Sequence, residues 1–184
     1  MGEGTVAGEV TVTGALSGPS IADNAGTISP GNSPGTITAG DLILNSTDTV
    51  VIEIDGDAGA GVAGGHDVIN VITGGGLGGS GLGTVDLGDA TLDLTGPSSL
   101  SITAGTELVI VDNDGTEDVT GTFDGLAEGD VVLLGGQLFA LSYEGGTGND
   151  VTLTARDAGQ VEFDDFITGV GLSLIHISEP TRPY

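Results

Sequence analysis

Alternation with a period of two, broken every few residues by glycine, most limits what this chain can fold into. In the run Thr49–Asp55, Val51, Glu53 and Asp55 face one way and Val50, Ile52 and Ile54 the other. Such alternation gives a strand one wet face and one buried face. In Ala90–Leu94, Leu92 and Leu94 likewise share a face opposite Thr91 and Asp93. Comparable runs lie at Thr5–Val12, Gly35–Leu44, Asp67–Ile72, Thr84–Leu94, Glu107–Asp112, Asp130–Tyr143 and Asp150–Ala155. No window of a dozen residues keeps helical apolar spacing free of glycine and β-branched residues, so helices are disfavoured. The expected class is all-β.

Glycine fills 36 of the 184 positions, aromatics make up 3% and tryptophan is absent. The core must therefore be stacked aliphatics joined by tight turns. Many short strands with glycine turns fit either a sandwich or a β-solenoid. Scarce aromatics, frequent small residues and recurring Gly-Thr-Ile/Val motifs (Gly4–Ala7, Gly26–Ser29, Gly35–Thr38, Gly83–Asp86) favour the solenoid for the first two-thirds. The last third differs. Gly135-Gly136 joins two apolar strands with a two-residue hairpin signal, and Gly145–Asn149 turns the chain again. Three antiparallel strands are expected from Val131 to Ala155. With Phe123, Phe139 and Tyr143 they would cap the open end of a solenoid.

The formal charge is −25, with two Lys or Arg against 27 Asp or Glu. Nucleic acid and anionic lipid need cationic side chains to neutralise phosphate, so neither is an expected partner. A mean hydropathy of +0.26 and the strand runs oppose disorder. Cysteine is absent, which removes disulfides and thiolate metal sites. The start, Met1–Val10, lacks the basic and apolar parts of a signal peptide. No run approaches the roughly 20 apolar residues of a membrane helix. Signal and anchor are expected to lie outside this sequence, which then reads as a fragment.

The stretch GTISPGNSPGTITAGDLILN (Gly26–Asn45), followed by the acidic strand VVIEIDG, resembles repeat-associated segments of bacterial autotransporter-type adhesins. ELVIVDNDGTEDVTGTFDGLAEGD (Glu107–Asp130) and LSYEGGTGNDVTLT (Leu141–Thr154) resemble the end of such passenger regions. The resemblance covers about Gly26 to Ala155. It implies a right-handed parallel β-helix at the cell surface, and adhesion rather than a defined reaction. Nothing after Ala155 offers the amphipathic strands of a membrane barrel. SLIHISEPTR (Ser173–Arg182) resembles the translation of a transposase adapter used for sequencing libraries. Residues 172–184 are accordingly set aside as artefact. The natural protein is then expected to continue beyond Gly171, and His176 and Arg182 carry no function.

Candidate chemistry is sparse. The run Asp112–Asp118 has the look of a Ca²⁺ loop, and Asp112, Asp114, Asp118 and Asp150 are the weak candidate ligands. Ca²⁺ wants six to eight oxygens, and the EF-hand pattern fails here. An Asx-rich turn is favoured. Gly145–Leu153 resembles one calcium nonapeptide but is out of phase by one residue. His66, beside Gly64-Gly65, is a lone histidine, better read as a turn residue than as a ligand or base. Ser17 and Ser80 lack a nucleophile elbow. Carboxylate pairs at Glu53/Asp55, Asp86/Asp89 and Asp164/Asp165 are compatible with glycoside chemistry. Only Arg156 is available to meet an acidic sugar. Gly74–Gly83 lacks a phosphate-loop lysine.

The combined expectation is a right-handed parallel β-helix over residues 1–112 and an antiparallel hairpin cap over 113–155. A linker or next module follows over 156–171, then the artefactual tail. The expected function is non-catalytic: a structural or adhesive fragment of a secreted or surface-displayed bacterial protein, contacting a glycan or protein, with no resident cofactor and no membrane insertion of its own. The rivals are a carbohydrate-active enzyme fragment and a calcium-stabilised module.

Overall fold

A computed structural model of the chain describes residues 26–31, 34–73 and 82–157, together with the backbone of three short strands nearer the start. Those three are β1 (Thr11–Val12), β2 (Ser17–Gly18) and β3 (Ile21–Ala22). Next come β4 (Thr27–Ile28), β5 (Thr36–Ala39), β6 (Leu42–Ile43), β7 (Thr49–Glu53), β8 (Val68–Val71), β9 (Val85–Asp86) and β10 (Thr91–Thr95). The longer strands close the series: β11 (Glu107–Asn113), β12 (Val131–Leu134), β13 (Gln137–Gly145) and β14 (Asp150–Arg156). The residues before Thr11, the Gly74–Gly81 part of the glycine loop, and the expected linker and tail beyond Asp157 lie outside the described residues.

The strands form three sheets, ordered β1-β4-β7-β10, β3-β6-β9 and β12-β13-β14-β11-β8-β5-β2. Through the first ten strands, each pairs in parallel with the strand three places later. Register is strict: Thr11, Thr27, Thr49 and Thr91 align across the four-stranded sheet. Ile37, Ile69 and Val111 align across the largest sheet. Alternation chooses the inward residues. Val50, Ile52 and Ile54 are fully buried, while Val51 and Glu53 are half-buried and Asp55 is exposed. The inward side chains of all three sheets meet in one aliphatic cluster.

The expectation of a single right-handed parallel β-helix with a separate hairpin cap is not met. The described residues form three sheets, none closed on itself, and the largest is mixed. In it β11 pairs in parallel with β8 on one side and antiparallel with β14 on the other. The hairpin strands β13 and β12 continue the same sheet. The reason is connection length. A parallel crossover takes roughly a dozen residues, and the turns after β12 and β13 are far shorter. Gly135 and Gly136 both adopt positive φ, 56° and 83°, the backbone of a primed hairpin turn. The chain must fold back on itself, so the last strands add edgewise to the sheet rather than lying across its end. Phe123, Phe139 and Tyr143 are buried as expected of large residues in this third. Their rings join the common core.

Candidate functional site

Carboxylates are the abundant ionisable groups of this sequence, 27 against two Lys or Arg and two His, and their placement bears on what the molecule can do. Aspartate recurs where a strand begins. Asp41, Asp48, Asp67 and Asp130 each stand immediately before a strand, and Asp150 opens β14. At such points a turn leaves backbone N–H groups without a ladder partner, and a short acidic side chain can accept them.

Asp48 Oδ1 accepts from Gly26 N at 3.1 Å and Oδ2 from Asn45 N at 3.0 Å. Asp67 Oδ1 accepts from Gly35 N at 2.6 Å and Oδ2 from Glu53 N at 2.9 Å. Asp150 Oδ1 accepts from Asn113 N at 2.7 Å, and Oδ2 from Thr147 N at 2.7 Å and Thr147 Oγ1 at 3.1 Å. All three residues are buried. Near the surface, Asp41 Oδ1 takes the N–H groups of Leu82 and Thr84, and Asp130 Oδ2 that of Ala127. Glu128 Oε2 accepts from Tyr143 N at 2.6 Å. These are charge-assisted bonds, about twice as strong as neutral ones. Several join segments 22 to 43 residues apart.

The calcium candidates fall partly together. Asp112 is exposed on β11, and its pKa is raised by partial burial first, then by the charges of Asp150 and Asp114. Asp114 Oδ1 accepts from Thr73 N at 2.6 Å, and the oxygens of Asp150 serve Asn113 and Thr147. Asp118 is exposed and is not among the charges acting on Asp112. Among the described residues no group of three or more His, Asp or Glu comes together as a metal would require. A Ca²⁺ cage takes six to eight oxygens, and here Asp114 Oδ1 and both oxygens of Asp150 already accept from protein donors. The Asx-turn reading does fit. Asn113 Oδ1 accepts from Gly115 N, and Asn113 Nδ2 donates to Glu117 O. Asn149 Nδ2 donates to the carbonyls of Gly115 and Glu117, docking the β13–β14 turn onto this loop.

His66 is buried, 4% exposed, not a surface turn residue. Its Nε2 lies 3.1 Å from Val109 O, and its Nδ1 is buried with no partner. Burial lowers its pKa, opposed by the Val109 bond and the charge of Asp67. Asp67 is shifted up, by burial first, against the N–H groups of Gly35 and Glu53 and the His66 charge, with Asp55 adding to the rise. Val109 is the ladder partner of Thr152. Arg156 lies four residues farther along β14, roughly 13 Å at strand rise, and is exposed. Histidine and arginine are thus not gathered at one point. Asp55 and Asp89 are exposed, and Asp86 Oδ1 caps Gly88 N. Asp164, Asp165 and Ser80 lie outside the described residues, as does the side chain of Ser17.

Tyr143 completes the internal polar network. Its hydroxyl accepts from Phe123 N at 3.0 Å and donates to Leu126 O at 2.8 Å. Burial, chiefly, raises its pKa. The Phe123 N–H works the other way, and the charges of Glu128 and Asp130 add to the rise. Sequence reasoning missed the roles of Asp48, Asp67 and Tyr143. The available signal was an aspartate directly ahead of each aliphatic run.

No protein-family model, curated protein or solved structure matches this chain.

Proposed function

We propose that this chain is a non-catalytic structural module of a bacterial secreted or surface protein, part of an adhesin-like molecule that meets a glycan or protein outside the cell. One observation carries the reading: the carboxylates of Asp48, Asp67 and Asp150 are at most 3% exposed, and each accepts backbone N–H groups from two different segments, one on each oxygen. A catalytic carboxylate must come within hydrogen-bond reach of the substrate, which such burial opposes. These are used as internal struts. The segments between Gly26 and Ala155 that resemble autotransporter-type adhesins add the extracellular setting. The net charge of −25 keeps such a module soluble and apart from phosphate-rich surfaces.

The test is an activity and binding screen on the purified chain. Neutral and acidic polysaccharides are incubated with it, and reducing ends and unsaturated uronates are measured. No turnover above the blank is expected. Turnover that disappears on substituting His66, Arg156 or an acidic residue would establish an enzyme and end the proposal.

A further inference from the structure

Between β7 and β8 the chain makes an excursion, Asp55–Gly65, held to itself by backbone bonds. Asp55 and Gly56 donate to Gly65 O, Ala58 to Gly64 O, and Gly65 to Val62 O. His66 closes it: its N–H bonds Gly59 O, and its carbonyl accepts from Gly61 N at 2.7 Å. The excursion is built from small residues and buries almost nothing. From residue 55 to 66, His66 is the only side chain classed as buried.

That side chain reaches across to β11. A carbonyl only accepts, so the bond to Val109 O requires hydrogen on Nε2. The neutral ring then presents a bare Nδ1, enclosed and without a partner. A second proton would place both a donor and a positive charge on Nδ1, where no acceptor receives them. Burying an unpaired charge is costly.

We propose that His66 is an acid-released pin: on taking up a second proton its ring leaves the pocket, the bond to Val109 breaks, and the Asp55–Gly65 excursion opens away from β11. The charged groups on the surrounding elements are few. Beside the ring in sequence, Asp67 favours the protonated form, but both its oxygens are held by Gly35 and Glu53. On β7 and in the excursion lie Glu53, Asp55 and Asp57, and on β11 Glu107 and Asp112. Of all these, only Asp67 acts on the imidazole. Burial outweighs it and holds the ring below its usual 6.5. The folded-state pKa is depressed, so the closed state has its full advantage above pH 6.5 and loses it as pH falls through the folded value.

The test is amide hydrogen exchange of the whole chain, corrected for intrinsic rates, with the imidazole titrated by NMR in parallel. Between pH 7 and pH 5, protection at Gly61, Gly65 and His66 is expected to fall, by up to roughly 25-fold, the limit set by an open-state pKa of 6.5. Protection at Val50 and Ile52 stays constant. His66→Gln keeps a neutral donor for Val109 and retains Asp67, so its profile is expected to be flat. A wild-type profile that is flat, or a fall of equal size in His66→Gln, overturns the proposal. If that variant does not fold, the wild-type imidazole decides, since a pKa at or above 6.5 is incompatible with the pin.

Discussion

Asp150→Asn tests the strut reading at its most loaded point. The residue is 2% exposed, and its two oxygens accept from Asn113 N, Thr147 N and Thr147 Oγ1. An amide keeps the shape but turns one oxygen into a donor. Whichever way it sits, a backbone N–H at Asn113 or Thr147 then faces another donor. Losing one charge-assisted bond costs about 1.5–3 kcal/mol, and the bonds that remain weaken to neutral strength. The expected loss is about 2–4 kcal/mol. With no tryptophan in the chain, urea unfolding is followed by far-UV circular dichroism. At a slope of roughly 2 kcal/mol per molar urea, the midpoint drops by about 1–2 M with the slope unchanged. The measurement is repeated with millimolar Ca²⁺ and with chelator. A strut predicts equal losses in both. A loss below about 0.5 kcal/mol, or one seen only with Ca²⁺, refutes the reasoning and returns Asp150 to the list of cation ligands.

Three further outcomes follow from the same network. Gly146 sits at φ 56°, where an added Cβ would run into the Asp150 carboxylate, so Gly146→Ala is expected to cost at least about 1–2 kcal/mol in urea unfolding. Tyr143→Phe strands the N–H of Phe123 and the carbonyl of Leu126, and the melt is expected to report a loss of about 1–3 kcal/mol. Asp112→Asn is expected to raise stability at pH 7 by a few tenths of a kcal/mol, roughly, because the site is exposed and screened. The folded pKa of Asp112 is raised, so the wild-type penalty is full above that pKa. It fades as pH falls towards 3.8, and the two denaturation profiles should converge there.

The local structure was largely legible and the assembly was not. Thr49–Asp55 buries the alternate residues its pattern assigns, and Gly135-Gly136 makes the hairpin turn its composition signals. Two of the runs read as single strands are each broken in two. Gly35–Leu44 bends at Gly40-Asp41 into β5 and β6, and Thr84–Leu94 bends at Leu87–Ala90 into β9 and β10. Corners of two and four residues are short beside the runs they break, so the bends leave little trace. Sheet membership depends on pairing across tens of residues, which no local pattern encodes. That is why the hairpins were expected as a cap and instead lengthen the main sheet. The acidic residues were read as a solvated face. Asp93 and Asp118 fit that, but Asp67 and Asp150 are interior, because the backbone N–H groups of Gly35, Glu53, Asn113 and Thr147 take the place of water around their oxygens.

Those aspartate ties have a kinetic consequence. Asp48 reaches back 22 residues to Gly26, Asp67 reaches 32 to Gly35, and Asp41 waits for Leu82 and Thr84, 41 and 43 positions ahead. None of these bonds can form until its later partner has been made. Contacts so far apart in order must all meet their closure entropy before they help, and proteins rich in them fold on the millisecond-to-second scale, orders of magnitude slower than helical bundles. A nascent copy of this molecule therefore spends long enough unfinished for bare strand edges to find the wrong neighbour. The negative charge that stays on its surface works against such encounters, since like-charged half-built molecules repel one another.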